Sequence, residues 1–336
     1  MIQAAIAQLI AGNHLTAEEA ERVMDEIMTG EATPAQIGGY LVALRIKGET
    51  PQEIAGSVRS MRGKATRVET RHELVVDTAG TGGDGAHTFN ISTTAALAVA
   101  AAGAPVAKHG NRAVSSACGS ADLLKALGVN IEAPPERVSR CIDEVGFGFL
   151  FAPLLHGAMK HAIGPRRELA ARSIFNIMGP LTNPAGAKCQ LIGVYDPSLT
   201  ELMATVLGEL GSHRAMVVHG SDGIDEITIT GPTRVSELKD GKVKTYELRP
   251  EDVGLGRADG ENLKGGDPPA NARLTREVLG GAGGPRRDVV LLNAAAALYV
   301  GERAKTLEEG VELAARAIDS GGAREKLEAL IEASNR

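Results

Sequence analysis

Between Thr16 and Lys64 apolar residues recur every three or four positions, with Val23, Ile27 and Met28 in one segment and Ile37, Leu41 and Leu44 in the next. That period is the α-helical one, so each segment carries a stripe that has to be buried. The polar punctuation agrees. Thr16 with Glu19, Thr33 with Gln36 and Thr50 with Glu53 are capping boxes, Pro34 and Pro51 stand at first helical positions, and Gly30 and Gly48 supply stops. A helical domain is predicted over residues 1–70. From Leu74 the period changes. Short β-rich runs (LVVDT, APVAKHG, CQLIGVYD, HRAMVVHG, DEITITG, KVKTYEL) alternate with Ala/Leu-rich helical segments such as TTAALAVAAAG and SADLLKALG, and the chain closes on LEEGVELAARAIDSG and REKLEALIEAS. Such alternation indicates crossover helices on a parallel sheet. The predicted fold class is therefore α/β: a small N-terminal helical domain plus a larger α/β domain, residues 71–336, with a mainly parallel central sheet. Between Pro153 and Pro184 the alternation lapses, and part of 153–184 is expected to rejoin the helical domain.

Composition narrows the function classes. With 336 residues, 43% of them hydrophobic, the chain can bury a sizeable core. A net charge of −6, 3% aromatic residues and no Trp oppose a nucleic-acid surface, which needs a basic face and stacking platforms. Cys118, Cys141 and Cys189 are odd in number, widely spaced and without C-x-x-C, so neither a disulfide framework nor a zinc site is indicated. The runs TTAALAVAAAGAPVA and VVLLNAAAALYV are too short and alanine-rich to span a bilayer and read as buried helices. With no basic segment leading an apolar one at the N-terminus, the expected compartment is the cytoplasm.

The densest chemistry lies in DTAGTGGDGAHTFNIST, Asp77 to Thr93. Four glycines there let backbone N–H groups approach a ligand, which points to an anion. Gly80-x-Gly82-x-x-Gly85 also satisfies the dinucleotide spacing, but that reading needs a helix opening on the third glycine and an acid about 20 positions on. The best helix start is Ser92 or Thr93, and the later positions hold Lys108, His109, Asn111 and Arg112 instead. No Gly-Lys-Ser/Thr closes the loop either, so it is not a Walker loop. It reads as an anion cradle of its own design.

GTGGD at Gly80–Asp84, the following FNIST, KHGNRAVSS at Lys108–Ser116 and CGSAD at Cys118–Asp122 closely resemble the anthranilate phosphoribosyltransferase family, and the match continues in HGAMKHAIGPRREL, FNIMGPLTNP and GSDGIDE. The resemblance spans nearly the whole chain and implies a nucleoside phosphorylase/phosphoribosyltransferase-like fold. It also implies Mg²⁺-dependent transfer of the phosphoribosyl group of phosphoribosyl pyrophosphate to the amine of anthranilate, in tryptophan biosynthesis. The residue types suit that reaction, because an oxocarbenium-like centre forms while a highly charged pyrophosphate leaves and has to be held.

By that resemblance the donor is bound by Gly80, Gly83, Asp84, Thr88, Asn90, Ile91, Ser92, Thr93, Lys108, His109, Gly110, Asn111, Arg112, Ala113, Val114, Ser115, Ser116 and Ser120. Mg²⁺ is held by Ser92, Asp225 and Glu226, and anthranilate by Gly80, His109, Asn111 and Arg166. Taken alone, Ser92, Thr93 and Ser120 suit helix N-caps, Lys108 a strand-end surface charge, Asp225–Glu226 an acidic turn, and Arg166 a surface charge beside Arg167. Asp222 reads as a turn residue. No strong base is required, because the aromatic amine is already neutral at pH 7. Gly157 replaces a customary proline after His156, and LAARSIF stands where the family has Leu-Gly-x-Arg-Thr-x-Phe, both on the acceptor side. A homodimer joined through the N-terminal helices is also implied. Three other readings are weaker. A pyrimidine nucleoside phosphorylase lacks its Lys-x-Ser-Gly-Arg-Gly motif here, a non-catalytic nucleic-acid-binding relative is opposed by Asp225, Glu226 and the charge, and a nicotinamide dehydrogenase lacks its acid.

Overall fold

The computed structural model describes residues 1–113 and 117–336. Helices α1 (Ile2–Ile10), α2 (Ala17–Thr29), α3 (Pro34–Lys47) and α4 (Pro51–Lys64) open the chain. Thr16, Thr33 and Thr50 each accept from the backbone N–H three residues on, and Glu19, Gln36 and Glu53 reply to the cap amide, so all three capping boxes form. Val23, Ile27, Ile37, Leu41 and Leu44 are buried in one apolar cluster. The same cluster takes in Ala162, Ile174, Phe175 and Ile177 from the 153–184 stretch, together with Ile192, Ala215 and Val217 of the sheet. The stripes predicted from helical spacing are thus buried against both the later segment and one sheet face.

The rest is built on a seven-stranded sheet: β1 (Val76–Gly80), β2 (Val106–Gly110), β3 (Phe147–Phe151), β4 (Cys189–Gly193), β5 (Arg214–Gly220), β6 (Thr233–Lys239) and β7 (Lys242–Leu248), in the order β3-β2-β1-β4-β5-β6-β7. The first five strands in that order run parallel and the last two are antiparallel, so the mainly parallel sheet is as expected. Helix α5 (Ile91–Ala101) follows β1 and α6 (Ser120–Leu127) follows β2. The alanine-rich α5 and the helix Pro285–Val300 are almost wholly buried, as their apolar runs predict.

Two strand assignments differ from the sequence reading. DEITITG is not a strand. Ile227 and Ile229 are fully buried while Thr228 and Thr230 both donate to Asp222 Oδ2, at 2.7 and 2.8 Å, so the alternation records a knotted turn rather than a ladder. The strand comes later, as β6. The missed strand β3, FGFLF, is buried at every position and therefore shows no alternation, as expected of a parallel strand covered on both faces.

The strand order reverses between β1 and β4, whose last residues, Gly80 and Gly193, are in register. A crevice beyond the C-terminal ends of strands at such a switch point is where open α/β sheets bind ligands.

Candidate active site

The glycine loop rises from the end of β1 at this switch point, with Gly82, Gly83 and Gly85 all at positive φ. That backbone is open to glycine with little strain, and successive N–H groups in such a conformation suit an anion. Opposite, the chain after β5 drops into the cleft and delivers Asp225 and Glu226. A Cβ on Gly193 would lie 1.5 Å from the carbonyl oxygen of Asp225, and one on Gly80 would lie 2.7 Å from its Oδ2. Glycine at both strand ends is therefore what admits Asp225, its backbone at Gly193 and its carboxylate at Gly80.

The two carboxylates do different things. Asp225 Oδ2 accepts from Gly82 N–H at 2.8 Å, tying the two sides of the cleft together. Glu226 Oε1 accepts from Ser92 N–H at 3.1 Å, satisfying an amide that the first turn of α5 leaves without a helical partner. Burial, then Glu226 and Asp84 nearby, raise the Asp225 pKa well above the usual carboxylate value. Burial pushes Glu226 up to about 7, against the pull of Lys108. This is a cleft with an excess of crowded carboxylate charge, a setting that a hard cation relieves.

Lys108 does not stand at the strand end as the sequence suggests. It lies within β2, 2% exposed, and its ammonium reaches the Thr78 carbonyl, Thr78 Oγ1 at 3.1 Å and Ser92 Oγ at 3.4 Å. Three oxygens satisfy three donors, so its charge sits beneath the loop as a buried counter-charge. Burial lowers its pKa while Asp77, Glu226 and Asp225 oppose that shift.

The helix-start residues also differ in detail. Helix α5 begins at Ile91, with Asn90 as the cap residue, so Ser92 and Thr93 lie inside the first turn and are not N-caps. Thr93 and Ile91 are buried, whereas Asn90 Nδ2 binds the Cys118 carbonyl at 2.8 Å and so fastens the next loop. Ser120 is likewise not a cap, since Gly119 precedes α6 with Asp122 returning to its N–H, and Ser120 Oγ donates to the Asn111 carbonyl at 3.3 Å. Arg112 is 45% exposed, stacked over Phe151 and 3.7 Å from both Asp122 and Glu132. Asp84 Oδ1 accepts from Ala86 N–H at 3.2 Å, Ala113 N–H donates to Asp122 at 3.0 Å, and Thr88 forms an isolated bridge to Lys264. Gly110 closes β2 and Asn111 is exposed, its Oδ1 taking the Arg112 N–H at 2.7 Å. Val114, Ser115 and Ser116 lie outside the described residues.

On the acceptor side, His109 Nδ1 lies 3.2 Å from the Gly179 carbonyl, and its Nε2 is 3.2 Å from His156 Nε2. Arg166 is half-buried with its guanidinium 5.0 Å from the Phe175 ring centroid, while Arg167 is exposed. The segment from Phe175 to Gly179 thus connects Arg166 to His109.

Residues 72–324 match the glycosyl transferase family a/b domain and residues 3–65 match the helical bundle domain of the same family. The chain is 59% identical to the anthranilate phosphoribosyltransferase of Moorella thermoacetica over 98% of both chains. It is 60% identical to that of Symbiobacterium thermophilum over 100% of this chain and 98% of the relative. The chain belongs to the anthranilate phosphoribosyltransferase family. Its backbone overlays the Thermus thermophilus member with a TM-score of 0.94 at 48% identity, covering 99% of each chain. The Saccharomyces cerevisiae member, solved in complex with PRPP and Mg, gives 0.89 at 27% identity over 99% of this chain and 98% of that one.

Several residues of this family member that shape the cleft escaped the sequence reading. Asp77, fully buried, accepts from His109 N–H at 3.0 Å and Asn183 Nδ2 at 2.8 Å, and burial raises its pKa to about 6. Asn183 also donates to the Ala107 carbonyl at 2.8 Å. Arg172 donates to the Gly83 carbonyl at 2.8 Å and lies 3.8 Å from the Tyr195 ring centroid, pinning the glycine loop from the acceptor segment. An acid inside the apolar run LVVDT was the available signal for Asp77. Arg172 matches the arginine of the family's Leu-Gly-x-Arg-Thr-x-Phe and His156 precedes the Gly157 departure, but no role could be read for either because their partners are distant in sequence.

Proposed function

We propose that this chain transfers the phosphoribosyl group of 5-phosphoribosyl 1-pyrophosphate to the amine of anthranilate, releasing pyrophosphate, as a cytoplasmic enzyme of tryptophan biosynthesis. The observation that carries the reading is the Asp225–Glu226 pair set against the glycine loop at the strand switch point, bonded to Gly82 and Ser92. Among the described residues no three His, Cys, Asp or Glu side chains gather into a ready-made metal cluster. Two carboxylates and the Ser92 hydroxyl suit Mg²⁺ all the same, since this ion keeps waters and shares its coordination with substrate phosphates. When bound, Mg²⁺ would neutralise charge on the leaving pyrophosphate.

The chain's own residues do the rest. N–H groups of the glycine loop cradle the donor, with Thr88, Asn111, Arg112 and Ser120 along its length. Lys108 balances the carboxylate charge from below. Arg166 holds the anthranilate carboxylate, and neutral His109 and His156 shape the wall beside it. The neutral amine then forms the C–N bond as the C–O bond to pyrophosphate breaks, and the amine proton passes to solvent.

The helical unit, residues 1–70 with part of 153–184, serves in this reading as the acceptor-side domain and 71–336 as the donor-side domain. The exposed Ile10, Val42 and Ile46, at 75%, 40% and 82%, lie on α1 and α3 and support a homodimer through these helices. The test follows the fluorescence of anthranilate. Its disappearance should require the donor, Mg²⁺ and protein together, and no loss with all three present would sink the proposal.

A further inference from the structure

A second strip of chain flanks the donor side of the cleft. Leu263 to Gly265 runs antiparallel beside His87 to Phe89, with Phe89 N–H donating to the Leu263 carbonyl at 2.8 Å and Gly265 N–H donating to the His87 carbonyl at 3.0 Å. Thr88 and Lys264 face each other between these two bonds as an isolated bridge. Bonds that flank a pair rather than join it mark the non-hydrogen-bonded kind, whose side chains leave on the same side and approach closest. The strip is held firmly. Asn90 N–H donates to Asn271 Oδ1 at 2.9 Å, Asn271 Nδ2 donates to the Gly266 carbonyl at 2.7 Å, and a Cβ on Gly265 would lie 2.7 Å from Phe89 Cα.

Lys264 therefore has a fixed backbone beside Thr88 and an exposed head. Its side chain is 55% exposed, and its ammonium pairs with Glu261 Oε1 at 2.7 Å, a carboxylate itself 73% exposed. An exposed pair of this kind contributes little and is easily exchanged. Two other cations are committed to the protein itself: Lys108 is buried on Thr78 and Ser92, and Arg172 donates to the Gly83 carbonyl. Arg112, 3.7 Å from Asp122 and Glu132, is the donor cation already named on the other side of the cleft. The cleft floor meanwhile carries Asp84, Asp225 and Glu226, so a polyanionic donor needs a cation that can come to it.

We propose that Lys264 is a donor-binding residue, whose ammonium leaves Glu261 and settles on a phosphate of phosphoribosyl pyrophosphate beside Thr88. The inference rests on the function proposed above and adds to it a cation supplied by the strip that lines the loop. Glu261 acts as a resting partner that competes with the substrate for the same ammonium.

Two substitutions of opposite sign test this. Lys264→Gln should raise the KM for phosphoribosyl pyrophosphate about tenfold, the lower end for a charge-assisted contact, with the KM for anthranilate and the melting temperature unchanged. Glu261→Gln should lower the donor KM about twofold by removing the competitor, an effect that fades at high salt. Calorimetric titration with phosphoribosyl pyrophosphate and Mg²⁺ should show the same order without any turnover. Weaker inhibition of Lys264→Gln by ribose 5-phosphate would place the ammonium at the sugar end, and weaker inhibition by inorganic pyrophosphate would place it at the leaving group. A donor KM for Lys264→Gln within twofold of wild type, or an equal rise in both KM values, overturns the assignment while leaving the proposed function intact. Wild-type protein that neither binds the donor nor turns over overturns both.

Discussion

The Nε2 atoms of His109 and His156 lie 3.2 Å apart, inside a wall where both rings are 7% exposed. The Gly179 carbonyl can only accept, so His109 carries its proton on Nδ1 and presents a lone pair on Nε2 to the Nε2–H of His156. Burial, then the neighbouring His156, pushes the His109 pKa down to about 3, and burial lowers His156 to about 4. Both rings are therefore neutral at pH 7.

A pH dependence follows. Each folded pKa lies below the unfolded value of about 6.5, so the native state resists protonation; its stability is complete above about pH 6.5 and is lost as pH falls toward the folded values. The loss approaches about 1.4 kcal/mol per pH unit for each ring. Asp77 and Glu226, raised to about 6 and about 7, act oppositely and lose their contribution as pH rises, so wild type and variant have to be compared at each pH. Urea denaturation of His156→Gln should show a flatter decline between pH 6.5 and 4.5 than wild type. Parallel declines would mean that burial does not depress the His156 pKa in the folded state.

Gly193 and Gly80 should tolerate alanine very differently. At Gly193 the new methyl meets the Asp225 carbonyl carbon at 2.4 Å as well as its oxygen, and backbone cannot step aside. At Gly80 it meets a carboxylate tip that can rotate. Gly193→Ala should cost about 1–3 kcal/mol of stability and nearly all activity. Gly80→Ala should fold normally and mainly raise the Mg²⁺ concentration needed for half-maximal rate. Equal melting temperatures for the two variants would contradict the geometry.

Asp225→Asn retains an oxygen for the Gly82 N–H while removing a charge crowded by Glu226 and Asp84. Without Mg²⁺ its melting temperature should match or exceed that of wild type, and turnover should fall roughly 100-fold or more. A wild-type rate at low Mg²⁺ would show that this carboxylate holds no metal.

Arg166 is half-buried and stacked on Phe175, whereas Arg167 points to solvent. Arg166→Ala should raise the KM for anthranilate by about 10- to 150-fold, the range for a lost charge-assisted hydrogen bond, with the donor KM nearly unchanged. Arg167→Ala should change neither. An anthranilate-selective defect in Arg167→Ala would shift the acceptor assignment by one residue.

Val42 and Ile46, four residues apart on α3, share one exposed stripe. Ile46→Lys should convert a dimer into a species of 34.9 kDa by light scattering at micromolar concentration. A wild-type protein that already scatters as 34.9 kDa removes the dimer.

What the sequence determined by itself was local or carried by contiguous motifs. The helix starts at Thr16, Thr33 and Thr50, the alternation of strands with apolar helices, and the loop at Gly80–Asp84 all depend on neighbours within four residues, which is the range over which caps, turns and periodicity act. Whatever depends on residues far apart was decided by tertiary structure. Lys108 reads as a strand-end charge, but its position within β2 points it at Thr78 and Ser92. Ser92 reads as a cap, yet its amide is satisfied by Glu226 from 134 positions away. FGFLF hides its strand because burial on both faces erases alternation, and ITIT imitates one because Asp222 gathers its threonines. The pairing of His109 with His156, and of Arg172 with Gly83, arises only once the 153–184 stretch packs against the sheet. A linear pattern records which side chains need burial or charge compensation; the folded packing of β1, β2 and β4 fixes which partners provide them.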